Sequence, residues 1–221
     1  MEYNITPIET RYGGTLFRSR LEARWAACFD NYGWQWTYEP FDLDGWFPDF
    51  LLKSETSKHP DVLVEVKPIT SFCDETSQRI QKSLVKTDNH YAPVLLLGVN
   101  PFWSEWDGMA VGWLLEYVGD PLGEDSSTDE CWAWDDAILR KVDWPKKEVL
   151  GTNSWDEPEK KAVEWYKACV DFCHASMSYH HRITGYYDGN SMVGNCSQKH
   201  IFEHGWNNAC EKVQYKPKGE N

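Results

Sequence analysis

Asp49, Glu65 and Lys67 are the residues whose types and spacing could carry chemistry. They lie in WFPDFLLKSETSKHPDVLVEVKP, Trp46 to Pro68, where a Pro-Asp pair precedes Glu65-Val66-Lys67 by fifteen residues. Glu65 and Lys67 are two apart on a predicted strand, so their side chains leave one face while Val62, Val64 and Val66 leave the other toward a core. An acid and a lysine set side by side at the edge of an apolar core suit a divalent cation. Mg²⁺ is a hard ion that takes one or two carboxylates and fills its other positions with water and phosphate oxygens.

Two aspartates compete for the second carboxylate. Asp61 shares the strand of Glu65 but lies four residues away, roughly 13 Å, too far for one ion. Asp49 belongs to the preceding strand, and a hairpin sets it opposite Glu65 with Cβ atoms about 5 Å apart. Asp49 is therefore the expected partner, and Asp61 reads as a strand-start residue. The other Glu-x-Lys, Glu159-Lys160-Lys161, falls in a charged helical stretch and reads as a solvated face.

The elements around these residues have a readable order. GTLFRSRLEARWAACFDNYG, residues 14–33, predicts a helix with Thr15 as N-cap and Gly33 as stop. Phe17, Leu21, Trp25 and Phe29 form its apolar stripe. Three strands follow, in WQWTYEP, GWFPDFLL and DVLVEVK, then a helix in DETSQRIQKSLVKTDNH and a buried strand in APVLLLGVN. MAVGWLLEYV predicts a further strand. The fold class is α/β with a mixed sheet. Glu22, on the first helix, has two readings: an ion pair with Arg18 at i−4, or a further carboxylate of the metal site, which is favoured because Glu22 borders the Leu21–Trp25 stripe.

Pro48-Asp49 and Glu65-Val66-Lys67, set in an α-β-β-β-α-β order, resemble the PD-(D/E)XK nuclease superfamily, which has the restriction-endonuclease-like fold. Residues 10–100 carry the resemblance, extending toward 118, and their start is similar to small phage-encoded members. The resemblance implies that Asp49, Glu65 and the Val66 carbonyl bind Mg²⁺ or Mn²⁺. It makes Glu22 the helix carboxylate found in many members, and Lys67 the group that orients the attacking water and stabilises charge in the transition state. It implies a DNA endonuclease hydrolysing phosphodiester bonds, phage or mobile-element encoded, in a bacterial host cell. Gln78 and Lys82 on the second helix, and Arg18, Arg20 and Arg24 on the first, are candidates for contacts to the DNA backbone, with solvated surface as the alternative for each.

Residues 1–118 form the expected nuclease core and 119–221 an extension. The extension comprises an acidic linker at 119–131, a helix at about 157–173, and an irregular tail from 174. Four of the seven cysteines and five of the seven histidines fall between 169 and 210. Cys169, Cys173, Cys196 and His200 could supply four ligands to a structural zinc ion, with His180 and His181 as competitors. Cys169 and Cys173, four apart, read equally as small core residues of a helix.

The formal charge is −13, and residues 101–168 carry −9 of it. That argues against tight bulk attraction to DNA, which depends on Lys and Arg neutralising phosphates, but leaves room for a local site. It also supports a second function class, a nuclease-like protein that meets a basic host protein through its acidic, Trp-rich middle. A dimeric junction resolvase is a third. Thirteen tryptophans read as core and interface filler. No apolar run approaches a membrane span. The start shows no export signal, and seven cysteines in no regular framework fit a reducing, cytoplasmic setting.

Overall fold

The computed structural model describes residues 7–55, 59–88, 92–106, 108–117, 132–141, 170–175, 181–184 and 199–214. They form a mixed α/β structure built on a mixed sheet with three helices.

The chain enters through a hairpin of β1 (Thr10–Tyr12) and β2 (Thr15–Phe17), closed by Gly13 and Gly14, both at positive φ. Two such residues in sequence make the hairpin turn whose twist matches its strands. Thr15 therefore lies in a strand and does not cap the first helix. That helix, α1 (Arg20–Tyr32), starts one turn later than expected, at Ser19, whose hydroxyl accepts the Glu22 N–H at 3.1 Å. The sequence Ser19-x-x-Glu22 is a capping-box pattern. Gly33 ends α1 in the left-handed conformation, as its position predicts.

Next come β3 (Trp36–Tyr38), β4 (Phe50–Leu52) and β5 (Val62–Val66), paired antiparallel in that order. Pro48 lies in the loop before β4, so its missing N–H costs the sheet nothing. After β5 the chain crosses through α2 (Asp74–Lys86) to β6 (Val94–Leu97), which runs parallel to β5. Beyond it come β7 (Phe102–Ser104), β8 (Gly108–Tyr117), β9 (Trp132–Lys141) and β10 (Val170–His174). The main path of the sheet is β10-β9-β8-β6-β5-β4-β3, with β7 paired to β8.

Two cores flank the sheet. On one face Val62, Val64 and Val66 meet Trp25, Ala26 and Phe29 of α1, together with Ile201, Phe202 and Ala209 of α3 (Lys199–Lys212). On the other face Leu63 and Val94 meet Ile80 and Leu84 of α2, with Leu43 and Trp46. Burying a side chain such as Phe29 contributes about 2–3 kcal/mol. Trp25, Trp34, Trp46 and Trp113 are buried, in keeping with core filling; Trp103 and Trp106 are exposed.

The extension departs from its expected form in two places. Residues 170–173 are not the end of a helix: Val170–His174 is β10, antiparallel to β9, with Val170 and Phe172 turned into the core. Residues 199–212 are not irregular: α3 packs on α1 despite its Gly, His and Asn content, because tertiary burial outweighs weak helix propensity. Gly205 makes the approach possible, since a Cβ there would fall 2.4 Å from the Tyr32 ring. The sheet thus continues past residue 118. The acidic linker at 119–131 and residues 157–169 lie outside the described residues.

Candidate active site

The register places Asp49 and Glu65. Phe50 pairs with Val64, so one step outward sets Asp49 opposite Glu65, as the hairpin argument requires. Both carboxylates are buried, Asp49 to 3% exposure and Glu65 to 2%. Asp49 Oδ2 accepts the Val66 backbone N–H at 2.7 Å, and Arg18 Nη2 donates to Oδ1 at 2.6 Å. Glu65 Oε1 takes Lys67 Nζ at 2.5 Å and Arg79 Nη2 at 2.9 Å, while Oε2 accepts the Trp46 indole N–H at 2.8 Å. Lys67 Nζ also donates to the Val66 carbonyl at 3.3 Å. The two halves of the motif therefore share one hydrogen-bonded cluster.

Burial pushes the Asp49 carboxyl up to about 7, and the charge of Glu65 adds to the rise, as does Glu22 to a lesser degree; Lys67 and the Val66 N–H pull the other way without cancelling it. This is the electrostatic condition of a site with too much negative charge in too little water.

Glu22 stands at the border of the cluster. Its Oε1 accepts the Ser19 hydroxyl at 2.7 Å and its Oε2 the Tyr38 hydroxyl at 2.5 Å. Burial and this bond push the Tyr38 phenol up to about 12, so it stays a neutral donor. Arg18 forms its ion pairs with Asp49 and with Glu39 at 2.9 Å; the i−4 pair with Glu22, the alternative reading of that residue, does not form. Among the described residues no three His, Cys, Asp or Glu side chains come close enough together to enclose a metal ion. The oxygen donors that could hold Mg²⁺ or Mn²⁺ are fewer: the carboxylates of Asp49 and Glu65 and the Val66 carbonyl, all hard oxygens, and such an ion takes water and phosphate in its remaining positions. Their oxygens now hold Lys67, Arg18 and Arg79, cations standing where an ion's charge would act.

Beside Lys67 opens a cleft of about 530 Å³ lined by Lys67, Cys73, Gln78, Arg79 and Lys82 among others. Gln78 and Lys82 thus share one groove with the motif lysine. Arg20 is half-buried on α1, and the charge of Arg24 acts on Cys210 of α3, away from this groove. Asp61 lies immediately before β5 and binds Lys53 and the Ser54 N–H.

Arg79, Trp46 and Tyr38 escaped the sequence reading. Arg79 could have been found: it lies three residues from Lys82 on the polar side of α2, opposite Ile80 and Leu84. Trp46 and Tyr38 carried no such signal. Of the proposed zinc ligands, Cys173 lies buried in β10, where its sulfur accepts Arg140 Nε at 3.3 Å. Cys169, Cys196, His180 and the side chain of His200 lie outside the described residues. His181 is buried beside Asp171, its Nδ1 3.9 Å from Oδ2. No helix among the described residues is long and apolar enough to cross a membrane.

No family model, no curated protein and no solved structure matches the chain.

Proposed function

We propose that this chain is a metal-dependent DNA endonuclease with a restriction-endonuclease-like core. The observation that carries this reading is the convergence of Asp49, Glu65 and Lys67, two buried carboxylates and a lysine, at the end of a hairpin. The element order supports it: α1, three antiparallel strands, α2, and β6 parallel to β5, the order in which the superfamily is built.

Asp49, Glu65 and the Val66 carbonyl would hold Mg²⁺ or Mn²⁺. Bound there, the ion would lower the pKa of a water and neutralise charge on the scissile phosphate. Lys67 is poised to leave Glu65 Oε1 for that water or for a phosphoryl oxygen, a move of one hydrogen-bond partner. It would orient the water and offset the charge that grows on the oxygens around phosphorus. The water oxygen bonds to phosphorus, one ester bond breaks, and the released oxygen takes a proton. Arg79, Lys82 and Gln78 line the groove in which the strand's backbone would lie. Arg18 positions Asp49.

Metal-dependent cleavage of supercoiled plasmid, single-stranded DNA and a four-way junction tests this reading, and preference for the junction would single out a resolvase. Cleavage that survives EDTA, or that persists in Lys67→Ala, contradicts it. The acidic stretch that could meet a protein partner lies largely outside the described residues.

A further inference from the structure

We infer that Phe47 is a stacking platform for an unpaired base of the DNA strand held at the candidate site; the inference rests on the nuclease reading and adds a substrate class to it. Phe41 and Phe47 sit on the two arms of one tight hairpin, 45% and 53% exposed. Neither ring stacks on another among the described residues. The turn between them is fastened to its surroundings. Leu43 and Trp46 pair across the turn and bury against α2. Asp44 and Gly45 turn the tip at positive φ. Ser83 donates to the Leu43 carbonyl, and Lys86 pairs with Asp44 at 3.0 Å.

The hairpin is tied to the chemistry on both sides of Phe47. Trp46, the residue before it, donates to Glu65; Asp49 follows two residues later. Two peptide units limit the Cα of Phe47 to about 7.6 Å from that of Asp49. A strand whose phosphate is held at Asp49 and Glu65 would therefore pass close to the Phe47 backbone, within reach of a base stacked on an exposed ring there. Beside the same carboxylates, Lys67, Arg79 and Lys82 line the cleft, and Lys67 and Arg79 both pair with Glu65. Cations along the backbone and an aromatic ring against the bases are the two parts of a single-strand binding site. The chain's charge of −13 makes the ring more useful, because the protein as a whole repels phosphates. A base inside an intact duplex is already stacked and cannot use the platform, so single-stranded, flapped or mismatched DNA is the substrate class.

The test uses the full chain in Ca²⁺ with an oligonucleotide carrying one 2-aminopurine, single-stranded or paired in a duplex. The expected result is quenching of 2-aminopurine fluorescence by the wild type on the single strand. Phe47→Ala should lose the quenching and bind the single strand about tenfold more weakly, while Phe47→Trp retains both and duplex affinity hardly moves. Unchanged single-strand affinity in Phe47→Ala overturns the inference. So does an equal loss on single strand and duplex, a change in oligomeric state, or no DNA binding by the wild type. Quenching without cleavage in Mg²⁺ or Mn²⁺ leaves stacking standing and removes the nuclease reading. Cleavage of single strands that ignores Phe47→Ala does the reverse.

Discussion

Asp49 accepts the backbone N–H of Val66 at 2.7 Å, so the first carboxylate of the site is hydrogen-bonded to the residue between the other two motif side chains. The bond satisfies a strand donor that β4, which begins only at Phe50, leaves unpaired. It also fixes the Asp49 carboxylate against the strand that carries Glu65 and Lys67. One side chain thus serves the sheet and the site together.

Asp49→Asn separates these two services. The amide oxygen can keep the Val66 N–H, while the buried charge is removed. The folded chain holds a proton on Asp49 up to about pH 7, whereas an unfolded aspartate releases it near 3.8. The stability gained from that proton is fully present below 3.8 and is lost as pH rises through 7. At pH 8 the substitution should therefore stabilise the fold, by about 4 kcal/mol at most and by less to the extent that the Arg18 ion pair contributes there, and at pH 4, where Asp49 is itself neutral, it should change stability little. Denaturant unfolding at the two pH values checks this, and cleavage should be abolished at both.

Metal binding should show the same titration from the other side. A protonated Asp49 cannot ligate, so Mn²⁺ affinity should rise with pH through about 7 and release a proton. At saturating metal the midpoint of the activity profile should move below 7, because the ion favours the carboxylate. Calorimetry in two buffers of different ionisation enthalpy reads the proton directly. A pH-independent affinity between 6 and 8 would exclude Asp49 as a ligand.

Asp171 offers a purely structural contrast. Fully buried in β10, it accepts the N–H groups of Phe172, Ile183 and Thr184 and the Thr184 hydroxyl. Asp171→Ala would orphan donors at the sheet edge and should cost about 3 kcal/mol or more, roughly a 10 °C fall in Tm for a chain of this size. The remaining folded fraction should keep its metal dependence and pH midpoint. Thermal unfolding and cleavage measured on one preparation separate the two effects.

The site was legible because its determinants are local. A β-branched strand with Glu65 and Lys67 in alternation, and a hairpin that sets Asp49 opposite Glu65, follow from strand geometry. Gly33 and α2 were legible for the same reason. The entry hairpin was missed although Gly13-Gly14 marks it, because the apolar stripe of α1 runs back through Phe17. The long strand β9 and β10 depend on non-local pairing with β8 and with each other. The helix α3 is held by Tyr32, Trp25 and Asn31 of α1, 170 or more residues away in the chain, through bonds such as Asn31 Nδ2 to the Gly205 carbonyl. Local pattern carries no trace of such contacts.

Asp49, Glu65 and Lys67 are proposed to form one metal-dependent hydrolytic site. The most direct measurement is single-turnover cleavage of a labelled single strand in Mg²⁺, Mn²⁺ or EDTA by the wild type and Lys67→Ala, with folding checked by circular dichroism. The expected result is cleavage only with metal and a loss of about 10²–10³-fold in Lys67→Ala. Equal rates for the two folded proteins, or cleavage undiminished by EDTA, would contradict it.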